Sequence, residues 1–160
     1  GRVLRSRGGG SGLPAPDPGW RYGTAVRLPG QTGVDLFTAT WCPYCGAEAP
    51  YLEQEIWQRY RNRDLQVICI DVKENAGIMG PFVARYAWTF PVLLDDDGEV
   101  SMRFAPVKEG LPPEVAIINA HFFLDGDGVV RYRDFLNMER FDAKASHVRE
   151  FLEGFLRVES

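Results

Sequence analysis

The 160-residue sequence is poor in cysteine and histidine and contains no long hydrophobic run. Its three cysteines are too few for the disulfide framework of a small cross-linked domain, and its two histidines leave few nitrogen ligands for a metal centre. No apolar segment approaches the ~18 residues of a membrane span. The 22 acidic residues outnumber the 18 basic ones, and the net charge of −4 argues against a general nucleic-acid-binding protein.

The rest of the composition predicts one folded domain. Hydrophobic residues make up 45% of the chain and aromatic residues 12%, which excludes a protein that is disordered as a whole. A chain of this length buries about 70% of its unfolded surface and can fold without metal or disulfide cross-links. Residues 1–19 are rich in Arg, Gly, Ser and Pro, so they predict a flexible tail or linker before a domain over residues 20–160.

Hydrophobic patterns typical of strands and helices alternate along this domain. The alternation predicts an α/β fold, with a central mixed β-sheet, helices on both faces and a C-terminal β-hairpin plus helix. Pro50 should kink the first helix, and the acidic stretches at 95–98 and 125–128 are predicted as hairpin turns. The predicted strands are 20–28, 34–39, 65–70, 91–94, 115–124 and 129–133; the predicted helices are 43–60, 75–86 and 141–157; residues 105–114 are predicted as a loop.

A Cys-Pro-Tyr-Cys motif lies where a predicted strand ends and a predicted helix begins. The free N–H groups of the first helical turn stabilise an anion, so Cys42 is expected to ionise readily. Pro43 suits the first helical position, because its missing N–H costs nothing there. Cys45 follows one turn later, close enough for a disulfide. We therefore predict a redox-active Cys42–Cys45 disulfide, in which Cys42 attacks a substrate disulfide and Cys45 resolves the mixed disulfide.

Other chemistries are also compatible with two closely spaced cysteines. The pair could be half of a zinc site, for which only Cys69, His121 and His147 could supply further ligands, or it could be inert. Cys69 lies in an apolar strand and is predicted to be a buried structural thiol, so we predict no metal site. A peroxidatic cysteine of the peroxiredoxin type is disfavoured, because the hydroxyl and proline positions of that pattern hold Ala39 and Asp35.

Four blocks of the sequence resemble the thioredoxin superfamily. Within it they are most similar to the TlpA/ResA/DsbE-like branch of extracytoplasmic thiol–disulfide oxidoreductases, which is related to the AhpC/TSA redoxins. The first block is similar to the branch's FWATWCPPC, and the second to its AEMP, with a helix-kinking proline. The blocks follow the family's order over roughly residues 20–157, and they are FTATWCPYC at 37–45, AEAP at 47–50, YAWTFPVLLD at 86–95 and FFLDGDG at 122–128.

The resemblance implies an enzyme that acts on protein disulfides, or on apocytochrome c thiols during haem attachment. It implies a thiol electron donor as partner, no cofactor, and a periplasmic or membrane-tethered location; the absence of a signal peptide says little here, because the sequence begins at Gly1. Glu48 matches a carboxylate that tunes the buried thiol or relays protons to it, and its alternative is an exposed helix acid. Trp41 is expected beside the disulfide, and Tyr44 completes a CPYC motif identical to that of glutaredoxins.

The sequence departs from the family at the cis-proline that faces the cysteines. Counting back from the FLD block places Asn119 at this position. Pro112 and Pro113 could serve if the preceding loop is longer, and Pro91 is a third candidate. The 105–118 segment is longer than in the family, and it forms either part of a substrate groove or an ordinary surface loop.

A binding module is the rival hypothesis. In that reading the thioredoxin fold holds a partner or delivers a metal, with Cys42 and Cys45 as copper ligands or idle thiols. The replacement of the proline by Asn119 favours it. The sequence also leaves the direction of electron flow open, because the reduction potential depends on the surroundings of the thiolate.

Overall fold

A six-stranded sheet positions the two cysteines at the end of its central strand. The computed structural model describes residues 3–5 and 30–159 of the chain. The strands are β1 (Val3–Arg5), β2 (Thr32–Thr38), β3 (Leu65–Val72), β4 (Val92–Asp95), β5 (His121–Leu124) and β6 (Val130–Asp134). The helices are α1 (Pro43–Tyr51), a π-helical segment (Leu52–Trp57), α2 (Gln58–Tyr60), α3 (Ala76–Arg85), α4 (Glu99–Phe104), α5 (Pro113–Ala116) and α6 (Ser146–Glu159), with a 3₁₀ turn at Met138–Arg140.

The sheet is mixed, as the sequence predicts, and its strand order is β1-β4-β3-β2-β5-β6. The first four strands in this order are parallel, whereas β5 pairs antiparallel with both β2 and β6. The register of β2 and β3 places Thr38 opposite Asp71. Since parallel strands end at the same edge of a sheet, these two polar residues meet at the edge where α1 begins.

The core forms two hydrophobic clusters on opposite faces of the sheet. Along β3, Val67 and Cys69 enter the first cluster, whereas Ile68 and Ile70 enter the second. This alternation is the period-2 pattern of a strand buried on both sides. Helices α1, α3 and α6 supply side chains to the first cluster and α4 supplies Val100 and Phe104 to the second, which confirms helices on both faces.

The first long helix changes its winding after Pro50. Proline has no N–H to donate into the helix, so it disturbs the regular ladder of hydrogen bonds. The next six residues are π-helical, and the N–H of Gln58 donates to the carbonyl of Glu53, five residues earlier. π-helical turns occur mostly as local irregularities, often near functional sites. The predicted disturbance at Pro50 is thus a change of helix type.

Two predictions on the C-terminal side of β4 are wrong. The turn at 95–98 opens helix α4 instead of a hairpin, because the Asp95 carboxylate accepts hydrogen bonds from the N–H groups of Val100 and Ser101 at 3.1 and 2.7 Å. The predicted strand over 115–124 pairs only from His121 to Leu124. Its first part is α5, whose first residue is Pro113, the position at which proline favours a helix.

Other boundaries move by a few residues. The closing helix begins at Ser146 and not at 141, and the Asp142 carboxylate accepts a hydrogen bond from the N–H of Ser146 at 3.0 Å. The hairpin turn at 125–128 is confirmed between β5 and β6. The flexible tail predicted for 1–19 did not include β1, which pairs with β4. The rest of that tail and the strand predicted at 20–28 lie outside the described residues.

Candidate active site

Cys42 and Cys45 lie at the junction between β2 and α1. Cys42 immediately precedes the helix with an extended backbone, at φ −85° and ψ 117°, and Pro43 occupies the first helical turn. Both cysteines are reduced and buried, Cys42 to 5% exposure and Cys45 to 2%. The less buried thiol is therefore the one at the helix N-terminus, the order needed for an attacking and a resolving cysteine.

The two thiols have opposite pKa shifts. The hydrogen bond that the Cys45 thiol donates to Cys42 lowers the pKa of Cys42 to about 6; burial opposes this effect, and the N–H groups of Cys45 and Tyr44 reinforce it. The same hydrogen bond, together with burial, raises the pKa of Cys45 well above its ordinary value. At neutral pH the thiolate is consequently held by Cys42.

Two polar side chains contact the buried sulfur of Cys45. The hydroxyl of Thr38 donates a hydrogen bond to it, and Asn119 Nδ2 lies 3.8 Å from Cys45 Sγ. The N–H of Asn119 donates to the carbonyl of Phe37 at 2.8 Å, and its φ of 72° is in the left-handed region that asparagine tolerates. Asn119 thus faces the cysteines from the position expected for the family's proline.

The alternative prolines do not supply that feature. No peptide bond within the described residues is cis. This includes the bonds that precede the three candidates, Pro91, Pro112 and Pro113.

Glu48 belongs to a buried network that crosses three elements. It is only 3% exposed, so the alternative of an exposed helix acid is wrong. Its Oε1 lies 2.9 Å from His121 Nε2, and His121 Nδ1 lies 2.6 Å from Asp134 Oδ1. The Tyr132 hydroxyl donates to the other oxygen of Asp134 at 2.6 Å. Glu48 Oε2 is buried and receives no hydrogen bond from any described residue.

A second pair of acids supports the loop before Cys42. The Glu74 carboxylate accepts hydrogen bonds from the N–H and the hydroxyl of Thr40 at 2.8 and 2.7 Å. Asp71 is fully buried, and its carboxyl oxygens have no hydrogen-bond partner of normal geometry in the described part of the chain. Burial, with the charges of Glu74 and Asp95 nearby, raises the pKa of Asp71 to about 10, so this side chain is a neutral acid at neutral pH.

An apolar groove of about 200 Å³ adjoins Cys42. Trp41, which is 62% exposed, lines it together with Leu111, Val115 and Met138. Lys108 contributes the charged side chain. Three of these residues belong to the 105–118 segment, so this segment forms a wall of the groove. The ring of Tyr44, in the same motif as Cys42, packs edge-on against Phe141 with centroids 4.8 Å apart.

Two of the further ligands considered for zinc have other surroundings. Cys69 is fully buried in the first core cluster, as predicted, whereas Cys42 and Cys45 belong to the second. His121 has both ring nitrogens engaged by carboxylates. Burial raises the pKa of the Cys69 thiol well above its ordinary value, consistent with a structural thiol.

Sequence reasoning did not assign a role to His121, Asp134 or Tyr132. The predicted hairpin alone does not pair the first two. A regular hairpin across the turn at 125–128 would place His121 opposite Tyr132, and irregular pairing next to the turn, with a register shift between Phe123 and Leu124, brings it opposite Asp134. An imidazole and a carboxylate on paired positions can interact directly.

Residues 22–133 of the chain match the AhpC/TSA family. The chain belongs to this family. ResA of Bacillus thuringiensis subsp. konkukian, a thiol–disulfide oxidoreductase, is 29% identical over 126 residues, which are 78% of this chain and 62% of ResA. The soluble secreted antigen MPT53 of Mycobacterium bovis is 35% identical over 77 residues, 48% of this chain and 43% of the antigen. This chain therefore spans less than two thirds of the length of these relatives.

Solved structures share the fold. A secreted disulfide oxidoreductase of Mycobacterium tuberculosis, homologous to DsbE of E. coli, superposes with a TM-score of 0.60 at 25% identity, over 76% of this chain and 81% of that one. The thioredoxin domain of a Bacteroides vulgatus thiol–disulfide oxidoreductase superposes with a TM-score of 0.56 at 15% identity, over 77% and 80%. The predicted thioredoxin-like fold is confirmed. In the described residues, no helix is long and apolar enough to span a membrane.

Proposed function

We propose that the chain is a thiol–disulfide oxidoreductase, whose Cys42–Cys45 pair exchanges two electrons with disulfides in protein substrates. The opposite pKa shifts of the two thiols carry this proposal. Cys42 has a pKa near 6 at the helix N-terminus, and Cys45 is kept protonated behind it. A nucleophile that is ionised at neutral pH and a protonated thiol one turn away are what sequential disulfide exchange requires.

The exchange takes place in two steps. The Cys42 thiolate attacks one sulfur of the substrate disulfide, the Cys42–substrate bond forms, and the other substrate sulfur leaves as a thiolate that takes up a proton. Cys45 then loses its proton and attacks Cys42 Sγ. The Cys42–Cys45 disulfide forms, and the second substrate sulfur leaves. A thiol electron donor restores the dithiol by the reverse sequence.

Glu48 is the group best placed to take the proton of Cys45. It follows Cys45 by one turn of α1, it is buried, and its charge raises the pKa of Cys42, which puts it within electrostatic reach of the dithiol. Because its Oε2 receives no hydrogen bond from any described residue, this oxygen is available to accept a proton.

The groove beside Cys42 supports protein substrates whose disulfide is flanked by apolar side chains. Trp41 would pack beside such a disulfide. The apocytochrome c thiols that are prepared for haem attachment and the disulfides of other exported proteins both belong to this class. Two of the relatives are described as secreted, which supports an extracytoplasmic location for this chain as well.

Insulin reduction by dithiothreitol tests the proposal. The protein should accelerate precipitation of the insulin B chain, Cys42→Ser should abolish the acceleration, and Cys45→Ser should trap a mixed disulfide. Cys69→Ser is the matched control, because this thiol lies in the other core cluster, and its activity should equal that of the parent. Unchanged rates in Cys42→Ser would instead support the binding or metal-delivery module.

The direction of electron flow follows from the reduction potential of the pair. Equilibration with glutathione, followed by alkylation of the free thiols, gives this potential. A value near roughly −270 mV or lower indicates a reductant, and one near roughly −120 to −180 mV indicates an oxidant or isomerase. The absence of any two-electron transition would contradict the proposed function.

A further inference from the structure

His121 bridges the buried carboxylate of Glu48 and the partly buried carboxylate of Asp134. It is the first residue of β5, and the imidazole spans the space between Glu48 on α1 and Asp134 on β6, with contacts of 2.9 and 2.6 Å. Both ring nitrogens are therefore used. The Tyr132 hydroxyl fixes the second oxygen of Asp134, so each group in the chain from Glu48 to Tyr132 has its orientation set by the next.

The bridge carries a positive charge. Burial alone would lower the pKa of His121, but the charges and hydrogen bonds of Glu48 and Asp134 outweigh burial and raise its pKa to about 10. For Asp134, burial is likewise outweighed by His121 and Tyr132, and its pKa is lowered. The imidazolium thus compensates the charges of two carboxylates, of which Glu48 is buried and Asp134 partly buried.

The network opens to solvent on one side. A cavity of about 300 Å³ is lined by Glu48, Asn119, His121 and Asp134. Asn119 connects it to the dithiol, since its amide contacts Cys45 Sγ. The other titratable groups that line this cavity are Arg140 and Asp142, from the segment before α6, and the exposed His147 of α6 itself.

We propose that His121 is a positioning residue that keeps Glu48 ionised and oriented beside the dithiol, so that the resolving attack by Cys45 proceeds near neutral pH. The inference rests on the proposed function, since it concerns the second step of disulfide exchange. His121 engages only Oε1 of Glu48, which leaves Oε2 to receive the proton.

The resolving step couples a proton transfer to the exchange of one sulfur–sulfur bond for another. The Cys45 S–H bond breaks, its proton goes to Glu48 Oε2, and the Cys45 sulfur bonds to Cys42 Sγ as the substrate sulfur leaves with the electron pair of the broken bond. Glu48 later releases its proton to solvent in the cavity. Without the His121 imidazolium, the buried carboxylate takes up a proton before the resolving step begins. A carboxyl group that already holds a proton cannot accept the one from Cys45.

The two steps can be timed in one experiment. Reduced protein is mixed in a stopped-flow instrument with an aromatic disulfide whose thiolate product absorbs visible light. The first equivalent of thiolate reports the attack by Cys42, and the second reports the attack by Cys45. The rates are recorded from about pH 5.5 to about pH 9, a range that includes the pKa of the Cys42 thiol at about 6.

His121→Gln should separate the two phases. The second phase should slow about tenfold or more at neutral pH and below, and approach the parent rate at the alkaline end, since the carboxyl ionises there. The first phase should change less than about twofold. In the parent the Glu48 carboxylate and the His121 imidazolium cancel, and in the variant a neutral acid faces a neutral amide, so the net charge near Cys42 is the same. Asp134→Asn should shift the second phase in the same direction by a smaller amount.

Two controls isolate the bridge. His147→Gln makes the same substitution at the exposed histidine that lines this cavity, and both phases should keep the parent profile. In a Glu48→Gln background, adding His121→Gln should not slow the second phase further, because the group on which His121 acts has been removed.

Equal slowing of both phases at every pH, with a parallel loss of thermal stability, would show that His121 is only structural and would overturn the inference. A parent-like profile in both His121→Gln and Asp134→Asn would do the same. If His121→Gln does not fold, Asp134→Asn carries the test. Absence of the first phase in the parent protein contradicts the proposed function, whereas absence of the pH shift contradicts only the role of His121.

Discussion

Glu48 and Asp71 are buried carboxyl groups near the same dithiol, but the groups around them are opposite in charge. Glu48 contacts the imidazolium of His121 at 2.9 Å. Asp71 has no hydrogen-bond partner of normal geometry among the described residues, and burial, with the charges of Glu74 and Asp95 nearby, raises its pKa to about 10. One acid is held as part of an ion network, and the other is held as a neutral carboxyl group.

The comparison shows that burial does not by itself determine the charge of an acid. Both side chains are at most 3% exposed. The difference comes from the partner, because a buried carboxylate is stable only when a cation or several hydrogen-bond donors compensate for lost hydration. Within the described residues, Glu48 has such a partner and Asp71 does not, and for this reason we propose Glu48 as the base for Cys45.

Glu48→Gln should give the largest effect on stability. It leaves the imidazolium with one carboxylate instead of two, and we expect the free energy of unfolding at neutral pH to fall by about 3 kcal/mol. Urea denaturation of the reduced protein measures this loss. Glu55→Gln is the control, because Glu55 forms partly exposed ion pairs with Arg59 and Arg149, and its loss should be below about 1 kcal/mol. Equal losses in both variants would remove the distinction between a buried and a surface acid.

Asp71→Asn should have the opposite sign. The pKa of Asp71 is raised by folding from 3.8 to about 10, so its stabilising contribution is complete below about pH 4 and is lost as the pH rises through the folded value. The amide does not ionise, and we expect a gain of about 1–2 kcal/mol at neutral pH that grows toward pH 9. Urea midpoints measured at several pH values test this, with the exposed Asp127→Asn as a control that should change nothing. A loss of stability at neutral pH would mean that Asp71 is ionised in the fold.

The fold and the redox pair could be predicted from the sequence because each depends on local patterns. Alternating strand and helix periods predict the layers, and the CPYC motif at a strand–helix junction predicts the two thiols. Asn119 was placed by counting back from the FLD block. These features need only a few consecutive residues to be recognised.

The different partners of Glu48 and Asp71 could not be predicted from such local patterns. Glu48 meets its cation 73 residues later in the chain, and the same helix face without His121 would have left an acid of ordinary appearance. Asp71 continues an apolar run, and its neutral state follows from acids contributed by a loop and by β4. Helix α4 was missed for a related reason, because the Asp95 side chain that starts it looks like part of an ordinary acidic turn.

Asp95 is a third buried acid, and its partners in the described part of the chain are hydrogen-bond donors. Its carboxylate accepts hydrogen bonds from the N–H groups of Val100 and Ser101 and from the Ser101 hydroxyl at 2.6 Å. Ser101→Ala removes one of these three donors, so unfolding at neutral pH should become easier by only about 1 kcal/mol. Urea denaturation measures this change. A loss as large as that of Glu48→Gln would mean that backbone N–H groups at the start of α4 are not sufficient for a buried carboxylate, and that the side-chain donor is as necessary to Asp95 as His121 is to Glu48.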